Sequence, residues 1–148
     1  MNQYVTKRRP VTILLAEDDD GEAKAISRAF RNVRLANPIV RVVDGVEALE
    51  TLRGENGKAK ITGPIVMLVD LNMPRMGGLE LITELRKDPK LRRTIVFVLT
   101  TSDQEKDIMA AYDAQISGYI QKDIAGKDFQ GLVDLLDDFW KVIQMPVA

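Results

Sequence analysis

Four short motifs carry side chains able to handle a cation and a phosphoryl group. Glu17-Asp18-Asp19-Asp20 ends the apolar run Val11 to Ala16, and Asp70 ends Val66-Met67-Leu68-Val69. Thr100 stands in Val98-Leu99-Thr100-Thr101-Ser102, and Lys122 closes Tyr119-Ile120-Gln121-Lys122. Carboxylates pooled at one spot repel unless a cation binds or a proton stays. Oxygen ligands without His or Cys suit a hard cation, best Mg²⁺, with Mn²⁺ or Ca²⁺ as substitutes. Mg²⁺ usually takes one or two carboxylates and leaves positions for water and phosphate. A lysine and a hydroxyl beside it would bind phosphoryl oxygens. Each residue alone has a plainer explanation: a helix cap, a solvated lysine, a strand threonine. Their combination at one sheet edge makes Asp70 the strongest lead to function.

These positions require a particular scaffold. The runs Thr12–Ala16, Ile39–Val43, Ile65–Asp70, Ile95–Leu99 and Ile116–Ile120 are short, nearly continuous and rich in Ile, Val and Leu. That is the pattern of parallel strands covered on both faces. Helical spacing fills the gaps: Ala23, Ile26, Phe30 and Val33; Val46, Leu49 and Leu52; Leu79, Ile82 and Leu85; Ile108, Ala111 and Tyr112, with a start at Ser102-Asp103. A last helix is expected over Lys127 to Gln144, with Phe129, Leu132, Val133, Leu136 and Trp140 on one side. The order β-α repeated five times argues for an open parallel sheet with helices on both faces. Ligands bind such sheets at the carboxyl ends of the strands, near the switch in strand order. Gly54–Gly63 reads as a surface loop.

Composition bounds the function. The chain has 148 residues, a usual single-domain size, and a net charge of -1. That balance gives no sign of nucleic-acid binding. With no Cys and no His, the chain has no disulfide, no thiol or imidazole catalysis and no phosphohistidine of its own. No apolar run approaches a membrane span of ~18–20 residues, and Met1–Pro10 is basic and polar, unlike a signal peptide. The expectation is a single domain over 1–148 in the cytoplasm, with a basic extension at 1–10 and a C-terminal extension at 141–148.

The motifs Leu14-Leu15-Ala16-Glu17-Asp18, Val69-Asp70-Leu71-Asn72-Met73-Pro74, Met76-Gly77-Gly78, Leu99-Thr100-Thr101-Ser102 and Gly118-Tyr119-Ile120-Gln121-Lys122 resemble the receiver domain of two-component response regulators. The resemblance covers about Val11 to Trp140. It implies a flavodoxin-like (βα)5 fold with strand order 2-1-3-4-5. It implies that Asp70 takes a phosphoryl group from a phosphohistidine on a sensor histidine kinase. It further implies Mg²⁺ at Glu17, Asp18, Asp70 and the Asn72 backbone carbonyl. Thr100 would hydrogen-bond the phosphoryl group, Lys122 would pair with it, and Tyr119 would turn inward with Thr100 on activation.

The chain departs from the family pattern at several points. Asp123 stands where most receivers carry proline, leaving open whether the Lys122–Asp123 bond is cis or trans. Thr101 replaces a small residue, which would narrow access and slow phosphoryl loss. Gln115 and Ile116 replace the usual small pair. Leu-Thr-Thr-Ser, the lysine without proline, the extended loop and Phe139-Trp140 resemble single-domain regulators paired with bacterial and cyanobacterial phytochromes.

No output domain follows in this sequence, so output would be partner binding, relay or dimer formation. Leu135, Phe139 and Val142 form a second apolar stripe, pointing to a homodimer through the surface of the fourth helix, fifth strand and fifth helix. The other reading folds the C-terminal extension over its own core. The kinase would dock near Ala25, Ile26 and Ala29. Competing functions are a Mg²⁺-dependent aspartyl-phosphate phosphohydrolase, a metal nuclease, a relay intermediate serving a non-phytochrome kinase, and a degenerate receiver. Asn72 stands where the hydrolase needs its general acid, and it breaks the nuclease acid pair as well. The complete acid, threonine and lysine set argues against degeneracy.

Overall fold

The three central apolar runs are buried on both faces, while the two edge strands are half-buried. The computed structural model describes residues 11–32, 37–125 and 129–146, the Trp140 side chain excepted. The strands are β1 (Thr12–Ala16), β2 (Ile39–Val42), β3 (Ile65–Val69), β4 (Ile95–Thr100) and β5 (Gly118–Gln121). They alternate with α1 (Asp20–Asn32), α2 (Gly45–Arg53), α3 (Gly78–Lys87), α4 (Glu105–Asp113) and α5 (Gln130–Val142). All strand pairs are parallel, in the order β2-β1-β3-β4-β5. The chain winds outward from β1 in one direction and from β3 in the other, so their carboxyl ends flank the switch point.

Successive residues of each strand enter opposite cores, as the two-residue period of a strand dictates. Ile13, Leu15, Val66, Leu68, Phe97 and Leu99 pack with Ile26 and Phe30 of α1 and Leu132, Val133 and Leu136 of α5. Leu14, Ala16, Met67, Val69, Val96 and Val98 pack with Leu49 and Leu52 of α2, Leu81, Ile82 and Leu85 of α3 and Ala111 of α4.

Several expectations shift. β5 begins at Gly118, and Ile116 is a buried residue of the preceding turn. Helix α4 begins at Glu105 rather than at Ser102-Asp103, because Ser102 closes a turn instead. Its hydroxyl donates to Asp107 at 2.7 Å and accepts from the Gln104 amide at 3.3 Å. Ile26 and Ala29 are 0% and 3% exposed and belong to the core, while Ala25 packs against it only partly buried. Phe139 leaves the expected outer stripe. Its ring packs edge-to-face on Phe97, with centroids 5.2 Å apart. Leu135 and Val142 remain exposed. Met1–Pro10, Val33, Lys127 and the last two residues lie outside the described residues. Among the described residues no helix is long and apolar enough to cross a membrane.

At the amino end of the sheet, Arg86 ties two loops together. Its guanidinium donates to the carbonyls of Arg92 (2.8 Å), Thr94 (2.9 Å), Ala114 (2.8 Å) and Gln115 (2.9 Å). Gln115 adopts φ 63° there, a left-handed conformation unusual for a residue with a side chain.

Candidate phosphoryl and cation site

Glu17, Asp70 and Lys122 stand one step beyond their strands and Thr100 at the last position of β4, and backbone hydrogen bonds hold the first three there. The Glu17 amide donates to Val42 O at 3.0 Å, the Asp70 amide to Ala16 O at 3.0 Å and the Lys122 amide to Thr100 O at 2.8 Å. Glu17, Asp70, Thr100 and Lys122 are all buried, while Asp18 is exposed. The strand ends thus deliver a lysine and two acids into one water-poor crevice. Gly78 closes the loop that follows Asp70. A Cβ there would come within 2.4 Å of the Asp70 carbonyl oxygen, so only glycine lets α3 start this close.

The Lys122 ammonium has three N–H donors, and three carboxylates take them. Glu17 Oε1 lies at 2.6 Å, Asp70 Oδ2 at 2.9 Å, and Glu22 Oε2 is the third partner. The Lys122–Asp123 bond is trans. Burial pulls the Lys122 pKa down, but the three acids outweigh it and raise it above its ordinary value. Burial, with hydrogen bonds that its protonated form can donate to Glu22 and Asp70, pushes Glu17 up to about 9. Asp70 is lowered despite its burial, because Glu17, Lys122 and the Asn72 amide, at 3.2 Å, stabilise its anion. Glu22 is lowered chiefly by its hydrogen bond with Glu17. Burial and the neighbouring acids thus favour the protonated form of Glu17, while Lys122 and the Asn72 amide favour the ionised form of Asp70.

The residues fit a divalent cation. Carboxylate oxygens of Glu17, Asp18 and Asp70 lie within 4.8 Å of one another. Glu17 Oε2 is buried with no hydrogen-bond partner, a free acceptor beside those oxygens. The donors are all hard oxygens, as Mg²⁺ and Mn²⁺ prefer. Asn72 is exposed two residues past Asp70, in the loop that approaches this cluster.

Thr100 is fully buried, and its Oγ1 accepts from the Ser102 amide at 3.4 Å. The Tyr119 hydroxyl donates to the Ser102 carbonyl at 2.9 Å, and the Tyr119 amide donates to the Tyr112 hydroxyl at 3.2 Å. Burial raises the Tyr119 pKa, so its hydroxyl stays a donor. Beyond Tyr112 lies a groove of about 430 Å³ that includes Ile108, Ile124 and Leu135.

Two residues of the site lie beyond the motifs read from sequence. Glu22 follows Asp19 by three positions, the spacing of a capping box. Its amide does donate to Asp19 Oδ1 at 2.8 Å, but its side chain reaches Lys122 instead of returning to the cap. Arg41, a lone charge within β2, donates to the Glu17 carbonyl at 2.8 Å and to Asp20 Oδ1 at 2.7 Å, bracing the acidic turn. A single arginine inside an apolar strand was the available signal.

Residues 13–134 match the family model described as the response regulator receiver domain. Response regulator Rcp1 of Synechocystis sp. is 29% identical over 140 residues, covering 94% of this chain and 95% of that protein. The crystal structure of the phosphorylated cyanobacterial phytochrome response regulator RcpA superposes with a TM-score of 0.84 at 34% identity, covering 94% of this chain and 100% of that one. The crystal structure of the Mn²⁺-bound form of Rcp1 gives a TM-score of 0.82 at 29% identity, covering 93% and 100%. With the order β2-β1-β3-β4-β5 and four strand ends converging on one acid and lysine cluster, the chain belongs to the response regulator receiver family.

Proposed function

We propose that this protein is the phosphoacceptor of a phytochrome-type two-component pathway, with Asp70 as the residue modified. One observation carries the reading: Asp70 is a buried carboxylate with Lys122 at 2.9 Å and the Glu17 and Asp18 oxygens beside it. An Asp70 carboxylate oxygen attacks the phosphorus of a kinase phosphohistidine. The P–N bond breaks, and its electron pair stays on the imidazole nitrogen. Lys122 follows the charge onto the phosphoryl oxygens, and Thr100 donates its hydroxyl proton to one of them. Glu17, Asp18, Asp70 and the Asn72 carbonyl would hold Mg²⁺, which would supply charge neutralisation for that transfer. The relationship to RcpA and Rcp1 supports the phytochrome-type kinase as partner. Asn72 carries no acid to protonate a leaving group, which favours signalling over phosphohydrolase turnover. Release of the phosphoryl group would be the protein's own slow reaction with water.

The output surface in this reading is α4-β5-α5. Tyr112, Ile124 and Leu135 are 50%, 78% and 47% exposed around the groove, a contiguous apolar patch suited to a second copy. The hydrogen bonds from Thr100 through Ser102 and Tyr119 to Tyr112 lead from the phosphoryl site to that patch. The test is incubation with acetyl phosphate and Mg²⁺, read by intact mass and size exclusion. The wild type gains one phosphoryl group and Asp70→Asn gains none. An unmodified wild type, or a modified Asp70→Asn chain, overturns the reading.

A further inference from the structure

The loop after Asp70 is gripped from a neighbour that takes no part in the cluster around Lys122. Arg75 sits in that loop with φ 59°, a left-handed backbone that side-chain-bearing residues rarely keep without support. Its guanidinium meets Asp44 with both prongs. Nε is 2.7 Å from Oδ2 and Nη2 is 3.1 Å from Oδ1. The Asp44 side chain is 4% exposed, and it also accepts the Glu47 amide at 2.8 Å, capping α2. Its acceptors are thus fixed before Arg75 arrives. Beside the pair, the Gly45 amide donates to Met76 O at 2.9 Å. A Cβ on Gly45 would lie 2.6 Å from Met76 Cγ, so the turn and the loop are in close contact. At its other end the loop is tied to Asp70 Oδ1 through the Asn72 amide. Asn72 is therefore suspended between Asp70 and a clamp.

We infer that Asp44 and Arg75 are positioning residues for the cation: together they hold the loop in the shape that offers the Asn72 carbonyl to a divalent ion. The inference rests on the reading that the ion binds among Glu17, Asp18 and Asp70. An exposed arginine paired with a carboxylate ordinarily adds only to stability. The distinguishing property is cation affinity. The Arg75 side chain points to Asp44 and not to the acids, so simple charge removal would tighten cation binding, whereas loss of the clamp weakens it.

Mn²⁺ titration by calorimetry of the full chain tests this, with thermal midpoints measured alongside. Arg75→Ala binds Mn²⁺ about three- to tenfold more weakly than the wild type, with a midpoint within a few degrees. Asp44→Asn, which still caps α2, weakens binding similarly. The double variant is no weaker than either single one, because the clamp is one object. Arg75→Lys, which keeps the charge but loses the fork, falls between. Arg75→Gly stays weak, although glycine relieves the backbone. Arg75→Ala within about twofold of wild type, or effects that multiply in the double variant, overturn the clamp. A wild type that binds no Mn²⁺ overturns the cation reading, and the clamp's role with it.

Discussion

A buried lysine and a part-buried arginine sit at opposite ends of this sheet, and they are neutralised in opposite ways. Lys122, at the carboxyl end, is ringed by three carboxylates, which raise its pKa above the ordinary value. Arg86, at the amino end, is ringed by four backbone carbonyls, and burial lowers its pKa. Carbonyl dipoles fixed by the chain can serve that guanidinium and nothing else. Carboxylates can serve an ammonium, a proton or a metal ion with equal ease. Arg86 is therefore a strut, whereas Lys122 sits among acids that, under the proposed function, would also hold a metal ion.

The largest stability effect should come from the strut. Arg86→Ala frees the carbonyls of Arg92, Thr94, Ala114 and Gln115 together, costing ~2–4 kcal/mol in urea unfolding. Mn²⁺ affinity should stay within about twofold of wild type, because the change lies at the far end of the sheet. A matching loss of cation binding would erase the distinction between the two ends.

Lys122→Met makes the converse prediction. Without the ammonium, the acids lose the occupant that competes with a metal, and Mn²⁺ should bind about tenfold more tightly. The metal-free variant should be less stable than wild type, and saturating Mn²⁺ should recover much of that loss through linkage. Arg86→Ala should show no such selective recovery. Weaker Mn²⁺ binding in Lys122→Met would mean that the lysine organises the acids rather than competing for them. Phosphorylation of this variant by acetyl phosphate should also slow, since the cation that follows the transferring charge is gone.

The sequence marks one of these ends far better than the other. Asp70, Thr100 and Lys122 were legible because strands end abruptly in polar residues, and parallel topology brings those ends together. The two-sided burial of the strands was legible from their unbroken apolar runs. Arg86 was not, because its partners are carbonyls that no side-chain pattern reveals. Glu22 has only the spacing of a capping box from Asp19, and local spacing does not show that its carboxylate crosses to a lysine a hundred positions away. Phe139 misled for a related reason. Spacing along one helix placed it with Leu135 and Val142, and only the position of Phe97 on β4 shows which way its ring faces. Helix period identifies a stripe, while the neighbouring element decides which edge of that stripe is covered.

The Asp44–Arg75 pair lies between the two extremes, with a buried acid and an arginine 58% exposed. It also gives the smallest effect. Burial tends to raise the Asp44 pKa, but Arg75 and the Glu47 amide outweigh it and lower it. A carboxyl lowered in the folded state adds stability above its unfolded value, and that stability is lost as pH falls through the folded value. The stability difference between wild type and Asp44→Asn should therefore be constant from neutral pH down to about 4 and shrink below that. Solvent screening of the exposed guanidinium holds the plateau to ~0.5–1 kcal/mol. Urea unfolding across pH 3 to 7 reads the curve. A difference that grows toward acid would mean that Asp44 is protonated in the folded protein, and the pair would then be a neutral hydrogen bond with no charge to hold the loop.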